Sequence, residues 1–306
     1  MDIVATIIPI FAVIILGWFA SVRGFIPQEF LGPANRLVYY IAIPAMIFRS
    51  ISRSSFTRQF DIKVLLITLL SILVIFGFAW CVGVITRIRR EQRSAFVQDS
   101  FHGNLGYIGL AVAYYFLGTE GLARASIIAG FMMILQNLLG VTVLALYSSD
   151  ESMKEGKWNI ALRIMRNPII LSVIAGMLFS IVEIPIPLII NRSLDILSGL
   201  ALPMALLIIG GSLSFKLMRL NMLLVLSTGM IKLVLLPGLG FLLFSLSGIL
   251  PADYLPGLIL LASPTATVTY VMAKEMNGDT DFAVAAISTS TLMSAVTFTV
   301  WLNFAR

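Results

Sequence analysis

Lys232 has the most chemistry to offer, because it stands inside the apolar run Gly229-Met230-Ile231-Lys232-Leu233-Val234 with no acidic residue one turn away. An ammonium within a membrane span is rare, costly and usually functional. It can compensate an anion or pair with a carboxylate from another helix, and a central position fits poorly with snorkelling toward an interface. Asp99 and His102 stand one turn apart and could relay a proton near neutral pH, although an edge aspartate and a packing histidine would look the same. Gln136 and Asn137 are adjacent amides able to hydrogen-bond a carboxylate or a neighbouring backbone; plain helix-to-helix bonding would also use them. The hydroxyl run Ser288, Thr289, Ser290, Thr291 and Ser294 reads as close helix packing rather than an ion path. Paired intramembrane aspartates, a serine motif with a histidine partner and H-E-x-x-H are all missing, and His102 is the only histidine. An enzyme therefore lacks support, and neither a metal nor a cofactor is expected.

The backbone is interrupted beside these residues. Gly103-Asn104-Leu105-Gly106-Tyr107-Ile108-Gly109 carries three glycines in seven positions, each costing a helix roughly 1 kcal/mol relative to alanine. A second interruption is Ala262-Ser263-Pro264-Thr265-Ala266-Thr267, where proline removes a donor and disrupts the preceding turn. Such breaks survive in a membrane only where they line a cavity or pack against protein. Close helix packing and a simple kink are the bland readings of either break alone. Crossed at the midplane, the two breaks would present half-helix N-termini, whose dipoles and N–H groups attract anions. Asn104 would then be nearest the bound anion, its amide donating to a carboxylate or capping the half-helix, with Gly103, Leu105, Gly106, Ser263, Pro264 and Thr265 around it.

Membrane-length helices must position these residues. Hydrophobic residues fill 59% of the 306 positions and charged residues 12%, with mean hydropathy +0.99, whereas a soluble domain carries roughly 25% charged residues. Ten stretches reach the length of about 20 residues that a span needs: roughly 3–22, 34–51, 62–86, 96–117, 122–147, 160–182, 192–213, 221–247, 253–275 and 281–304. The first opens at Met1-Asp2 with no basic flank, so it reads as a spanning helix and not a cleaved signal. The single cysteine, Cys81, lies within a span and makes no disulfide framework.

The halves repeat at an offset of 159: Pro9 matches Pro168, Gly17 matches Gly176, Pro44 matches Pro203, Ser55-Phe56 matches Ser214-Phe215, and Asn104 matches Ser263. Helix breakers in one register carry more weight than matched leucines. Five spans per half force the second copy to enter the membrane upside down, so residues 1–147 and 160–306 form a 5+5 inverted repeat joined by a linker at 148–159. Inverted repeats are a recurring plan of secondary transporters, with the substrate near the midplane. A net charge of +6 does not indicate nucleic acid, since the basic residues lie in short loops. With the N-terminus outside, thirteen Lys and Arg fall at inner ends (Arg23, Arg36, Arg87, Arg89, Arg90, Arg93, Lys154, Lys157, Arg163, Arg166, Lys216, Arg219, Lys274) and seven at outer ends. This sets both termini outside, although the basic cluster from Arg49 to Lys63 runs against the bias.

Several motifs, in order along the whole chain, resemble the auxin efflux carrier (AEC) family of bacterial permeases and plant carriers. Gly103 to Ala111 is similar to the family's G-N-x-G-[FY]-x-G-L-P. Ser263-Pro264-Thr265 followed by Val271-Met272-Ala273-Lys274-Glu275 is similar to its P-T…F-A-K-E. Arg166-Asn167-Pro168, the stretch Pro203 to Leu213, and Lys232 five residues before Pro237 are also family-like. Ala111 departs from the pattern, standing where the family usually has proline. The resemblance implies an all-α, ten-helix fold like the NhaA and bile-acid transporters, with helices 4 and 9 broken and crossing. It implies scaffold helices 1, 2, 6 and 7 that dimerise, and a moving domain of helices 3–5 and 8–10 working as an elevator. It implies carriage of small organic anions, malate or malonate in bacterial relatives and indole acids in plants, across a bacterial inner (cell) membrane. Coupling and charge compensation would fall to Lys232, Asp99 and His102. The alternative is a sodium- or proton-coupled symporter or antiporter of the same fold with another substrate. Cation/proton antiporters carry an acidic pair on the fifth helix, and residues 122–147 hold neither Asp nor Glu. A channel differs from a carrier in lacking saturable, countersubstrate-stimulated flux.

Overall fold

The computed structural model describes residues 3–53, 61–147, 166–219 and 221–305; the expected linker 148–159 and the Ser55-Phe56 pair lie outside these. Among the described residues there is no strand, and a single antiparallel bridge joins Gly103 to Thr265. Among the described residues, six helical stretches are long and apolar enough to cross a membrane: Ile3–Val22, Ile62–Ile85, Leu105–Tyr147, Leu188–Gly211, Met222–Leu246 and Thr280–Phe304.

Helix α1 (Ile3–Val22) buries Ile3, Ile7, Ile10, Ile14 and Gly17, one stripe at helical spacing. This stripe packs on α8 (Leu188–Gly211). A Cβ on Gly17 would lie 2.3 Å from the Leu207 carbonyl oxygen, and one on Gly210 would lie 1.9 Å from that of Ile14. The crossing therefore requires glycine on both sides. Helix α2 (Gln28–Leu37) passes through a π turn, Val38–Ala42, into α3 (Ile43–Ser52), where Pro44 cannot supply a helical N–H. Helix α3 packs on α7 (Pro168–Ile181) and α8. Asn167 caps α7 by accepting from Ile169 and Ile170 N–H, with Pro168 at the first helical position. The Arg49–Asp195 ion pair, at 2.7 Å, ties α3 to α8.

The remaining helices pack around the two breaks. Helix α4 (Ile62–Ile85) is capped by Asp61. Helix α5 (Arg90–Phe101) ends at the glycine-rich break, which leads through the π turn Leu105–Gly109 into α6 (Leu110–Tyr147). The first half-helix starts six residues earlier than the apolar run suggests, because Arg90 to Arg93 form its polar end; Arg93 reaches back to the Ile88 carbonyl oxygen, 2.8 Å away. Helix α6 is interrupted at Gly118 (φ 73°), a backbone that glycine adopts readily, which divides the expected fourth and fifth spans. Helix α9 (Met222–Met230) joins α10 (Leu236–Leu246) through the π turn Ile231–Leu235. Helix α11 (Pro251–Leu261) ends at the proline break, followed by α12 (Val268–Glu275) and α13 (Thr280–Phe304).

Burial marks the centre of the molecule. Residues 94–113 and 254–266 are buried at every position, so these stretches have protein on all sides rather than lipid on one. That is the setting in which interrupted backbone is tolerated at membrane depth.

Candidate functional site

The two breaks cross in antiparallel sense. Asn104 N–H donates to the Pro264 carbonyl (2.7 Å), and Ala266 N–H donates to that of His102 (3.0 Å). These two backbone donors are spent on the facing break and are not free for an anion. The crossing is close. A Cβ on Gly103 would lie 2.5 Å from Ser263 Oγ and 3.3 Å from Lys232 Nζ. Thr265 is held at both ends: its N–H donates to Ser290 Oγ (3.1 Å) and its hydroxyl to the Asp99 carbonyl (3.0 Å). Ser263 Oγ donates to the Leu260 carbonyl (2.7 Å).

Each first half-helix ends in carbonyls with no partner along its own chain, and a side chain from elsewhere takes one of them. The Phe101 carbonyl at the end of α5 accepts from Gln136 Nε2 (3.1 Å). The Leu261 carbonyl at the end of α11 accepts from Lys232 Nζ (2.8 Å), a cation at the negative end of a helix dipole. Lys232 reaches this point from its π turn. Pro237 cannot donate to the Leu233 carbonyl, and the Trp301 indole N–H occupies that oxygen instead (2.8 Å). Lys232 is wholly buried and also lies near the His102 ring.

Asn104 serves two sides. Its Oδ1 accepts from Tyr107 N–H (3.3 Å), the expected cap of the second half-helix. Its Nδ2 is buried with no partner, as are both Asp99 carboxyl oxygens, His102 Nδ1, Gln98 Oε1 and Gln136 Oε1. Buried polar atoms in folded proteins are normally paired. Here unpaired ones gather at the crossing.

The structure thus brings together Gly103, Asn104, Ser263, Pro264, Thr265, Gln136, Lys232, Asp99 and His102 of the expected set. Leu105 is buried beside Gly103, and Gly106 faces Met133, Ile169 and Ile43. Asn137 does not join them; its amide turns back onto the Met133 carbonyl of its own helix (2.8 Å). Three participants were not singled out from sequence, and a fourth, Ser290, was expected only to pack. Ser290 accepts from the break, Trp301 satisfies the π turn, and Gln98 Nε2 reaches Met272 Sδ (3.2 Å). Tyr107 hydroxyl donates to Asn35 Oδ1 of α2. Only Trp301 had a readable signal, since a proline always frees the carbonyl four residues before it.

The family described as "Membrane transport protein" matches residues 2–302. The chain belongs to that family, the auxin efflux carrier group. It is an integral, multi-pass membrane transporter. It is 29% identical to a Rhizobium meliloti protein named "Putative malonate transporter", over 100% of this chain and 96% of the relative. It is 26% identical to an uncharacterized transporter of Methanocaldococcus jannaschii, over 98% and 97%. An uncharacterized transporter of Escherichia coli K12 is 23% identical, over 99% and 98%. The match runs end to end, so the crossing lies within the region this transporter shares with its relatives.

Proposed function

We propose that this transporter carries small organic anions, malonate-like carboxylates first among them, by alternating access of an elevator type. The observation that carries the reading is an unpartnered donor, Asn104 Nδ2, at a crossing that also buries the Lys232 amine. An amide proton and a fixed cation are what a carboxylate needs in a site stripped of water. The relative named for malonate supplies the substrate class. Ser263 and Thr265 frame the opposite strand of the crossing, and Gln136 holds the end of α5 in place.

The proposed architecture is the ten-span, 5+5 inverted repeat. Its support is that helix starts recur near the sequence offset: Ile62 and Met222 are 160 apart (222 − 62), and Gln28 and Leu188 are also 160 apart (188 − 28). The antiparallel crossing is the arrangement an inverted pair would make. Helices α1, α2–α3, α7 and α8 are the proposed scaffold, and α4–α6 with α9–α13 the moving domain. The first half of α8 bears exposed Ile189, Ile190 and Ile196, and we assign dimer contacts to this face and α2, with both termini outside a bacterial inner membrane.

Purified protein in proteoliposomes, loaded with malonate and assayed for exchange of labelled malonate, tests the reading. Wild type is expected to exchange, and Asn104→Ala to lose at least about tenfold in affinity, the equivalent of one lost hydrogen bond to a charged group at about 1.4 kcal/mol. Wild-type exchange by Asn104→Ala would remove the crossing as the binding site.

A further inference from the structure

We propose that Tyr107 and Asn35 form a releasable latch between the scaffold and the moving domain, and that breaking their hydrogen bond is a step of anion translocation. The proposal rests on the elevator reading and names the side chains that hold the carrier in the arrangement described.

Tyr107 belongs to two contacts at once. Its N–H donates to Asn104 Oδ1 (3.3 Å), so its backbone orients the amide proposed to bind the anion. Its side chain leaves the crossing, and the hydroxyl donates to Asn35 Oδ1 on α2, in the proposed scaffold. Tyr107 is buried and Asn35 half-buried. A buried phenol needs a partner for its hydroxyl, and here that partner stands on the other unit. The residue that orients Asn104 is therefore also bonded to the part of the protein that stays still.

The surface beside this bond is suited to sliding. A Cβ on Gly106 would have as nearest neighbours the terminal methyls of Met133, Ile169 and Ile43, at 3.6, 3.7 and 3.8 Å. Ile43 lies on α3 and Ile169 on α7, both in the scaffold. Gly130 of α6 faces Val173 of α7 in the same way, 3.3 Å from Cβ to Cβ were a side chain added. Apolar contacts are non-directional, so a shift that keeps the methyls covered costs little. A hydrogen bond has narrow limits of distance and angle, so a shift of a few ångströms breaks it. The second break is tied to the scaffold in the same sense. Thr265 N–H donates to Ser290 Oγ on α13 (3.1 Å), and Ser288 Oγ, two residues earlier, accepts from Ser214 N–H just after α8 (3.0 Å).

The consequence is kinetic. The bond exists in the arrangement the chain adopts and is lost once α6 moves past α2, so it holds the carrier in its starting state and leaving that state is the slow step of exchange. Its net worth corresponds to about three- to tenfold in the balance between latched and released carrier. Phenylalanine at 107 removes the hydroxyl and keeps both the ring and the N–H that Asn104 accepts from. Release should then quicken by that factor while the anion contacts stay as they are.

The test uses the whole protein in proteoliposomes, with malonate on both sides and labelled malonate on one. Tyr107→Phe should raise the maximal exchange rate about three- to tenfold, while malonate affinity, measured by calorimetry in detergent, stays within about twofold. Asn35→Ala should act alike in wild type and add nothing in the Tyr107→Phe background, because both changes remove one bond. An unchanged or lowered maximal rate in Tyr107→Phe, or rate effects of the two substitutions that simply multiply, overturns the proposal. Asn35→Ala against wild type carries the rate test alone if Tyr107→Phe does not fold. A second variant examines the sliding beneath the proposal. Gly130→Cys with Val173→Cys, in a Cys81→Ala background, sets two sulfurs within reach of a disulfide between α6 and α7. The oxidised protein should bind malonate without exchanging it and recover exchange on reduction. Exchange at the reduced rate by fully cross-linked protein would overturn the elevator reading itself, and no malonate exchange by wild type would overturn the substrate reading.

Discussion

Substituting Gly103 by alanine tests whether the two breaks cross as described. The added methyl would sit 2.5 Å from Ser263 Oγ, 3.2 Å from Leu105 Cδ2 and 3.3 Å from Lys232 Nζ. A carbon and a hydroxyl oxygen cannot approach to 2.5 Å, so one must move. The cheaper motion swings Ser263 Oγ off the Leu260 carbonyl, losing a hydrogen bond of about 0.5–1.5 kcal/mol. Lys232 must also give by a few tenths of an ångström while bound to Leu261. Overpacking of this kind costs about 1–3 kcal/mol in total. Ser263→Ala removes the clashing oxygen, so in that background Gly103→Ala should cost under about 1 kcal/mol.

The assay is a double-mutant cycle on unfolding in mild detergent, with the four proteins compared at equal malonate concentration. A coupling energy of about 1–2 kcal/mol between residues 160 positions apart (263 − 103) is expected, in the range seen for directly contacting pairs. Additivity within about 0.3 kcal/mol, the behaviour of distant sites, would refute the crossing geometry and with it the binding site.

Other outcomes follow from the same contacts. Lys232→Met should leave unfolding stability within about 1 kcal/mol, because loss of the Leu261 bond is offset by removal of a buried charge, yet lower malonate affinity at least about tenfold. Unchanged affinity, read by isothermal titration, would make Lys232 a helix cap only. Gln136→Leu should destabilise by about 1–3 kcal/mol by orphaning the Phe101 carbonyl, measured as a lowered unfolding midpoint. Trp301→Phe removes the indole donor from the Leu233 carbonyl and should cost about 1–2 kcal/mol while acting on transport only through Lys232; a variant with wild-type stability would show that the π turn does not need it.

What could be read from sequence divides along a physical line. Glycine and proline act on their own backbone, so both breaks were legible in their residue types. Charge in an apolar run is equally local, which made Lys232 and Asp99 visible. Partners were not. The Leu261 carbonyl that holds Lys232 lies 29 residues away on another helix, and side-chain chemistry alone gives no register between helices. Gln136 and Asn137 stand about 100° apart around one helix, so only one can face the crossing, and an amide pair looks alike from either side. Ser290 was read as packing because a membrane-span hydroxyl bonds its own backbone whether or not a neighbour uses its lone pair. It does both here, donating to Ile287 and accepting from Thr265.

The proposed repeat sets Lys232 against a partner position in the first half. With the helix starts 160 apart, Lys232 corresponds to Ile72 (232 − 160) and Pro237 to Gly77 (237 − 160). Ile72 and Lys232 are both fully buried, Ile72 in the continuous helix α4 and Lys232 in a π turn. The two halves therefore share the buried position, and the second half differs in the ammonium it places there and in the proline beside it. The two broken helices share a backbone plan, yet one half-helix end is held by a neutral amide and the other by a cation. A repeat supplies a symmetric crossing, and symmetry alone cannot give it a charge preference. The proposed preference for anions therefore rests on Lys232, the departure from the proposed repeat, rather than on the crossing that both halves build.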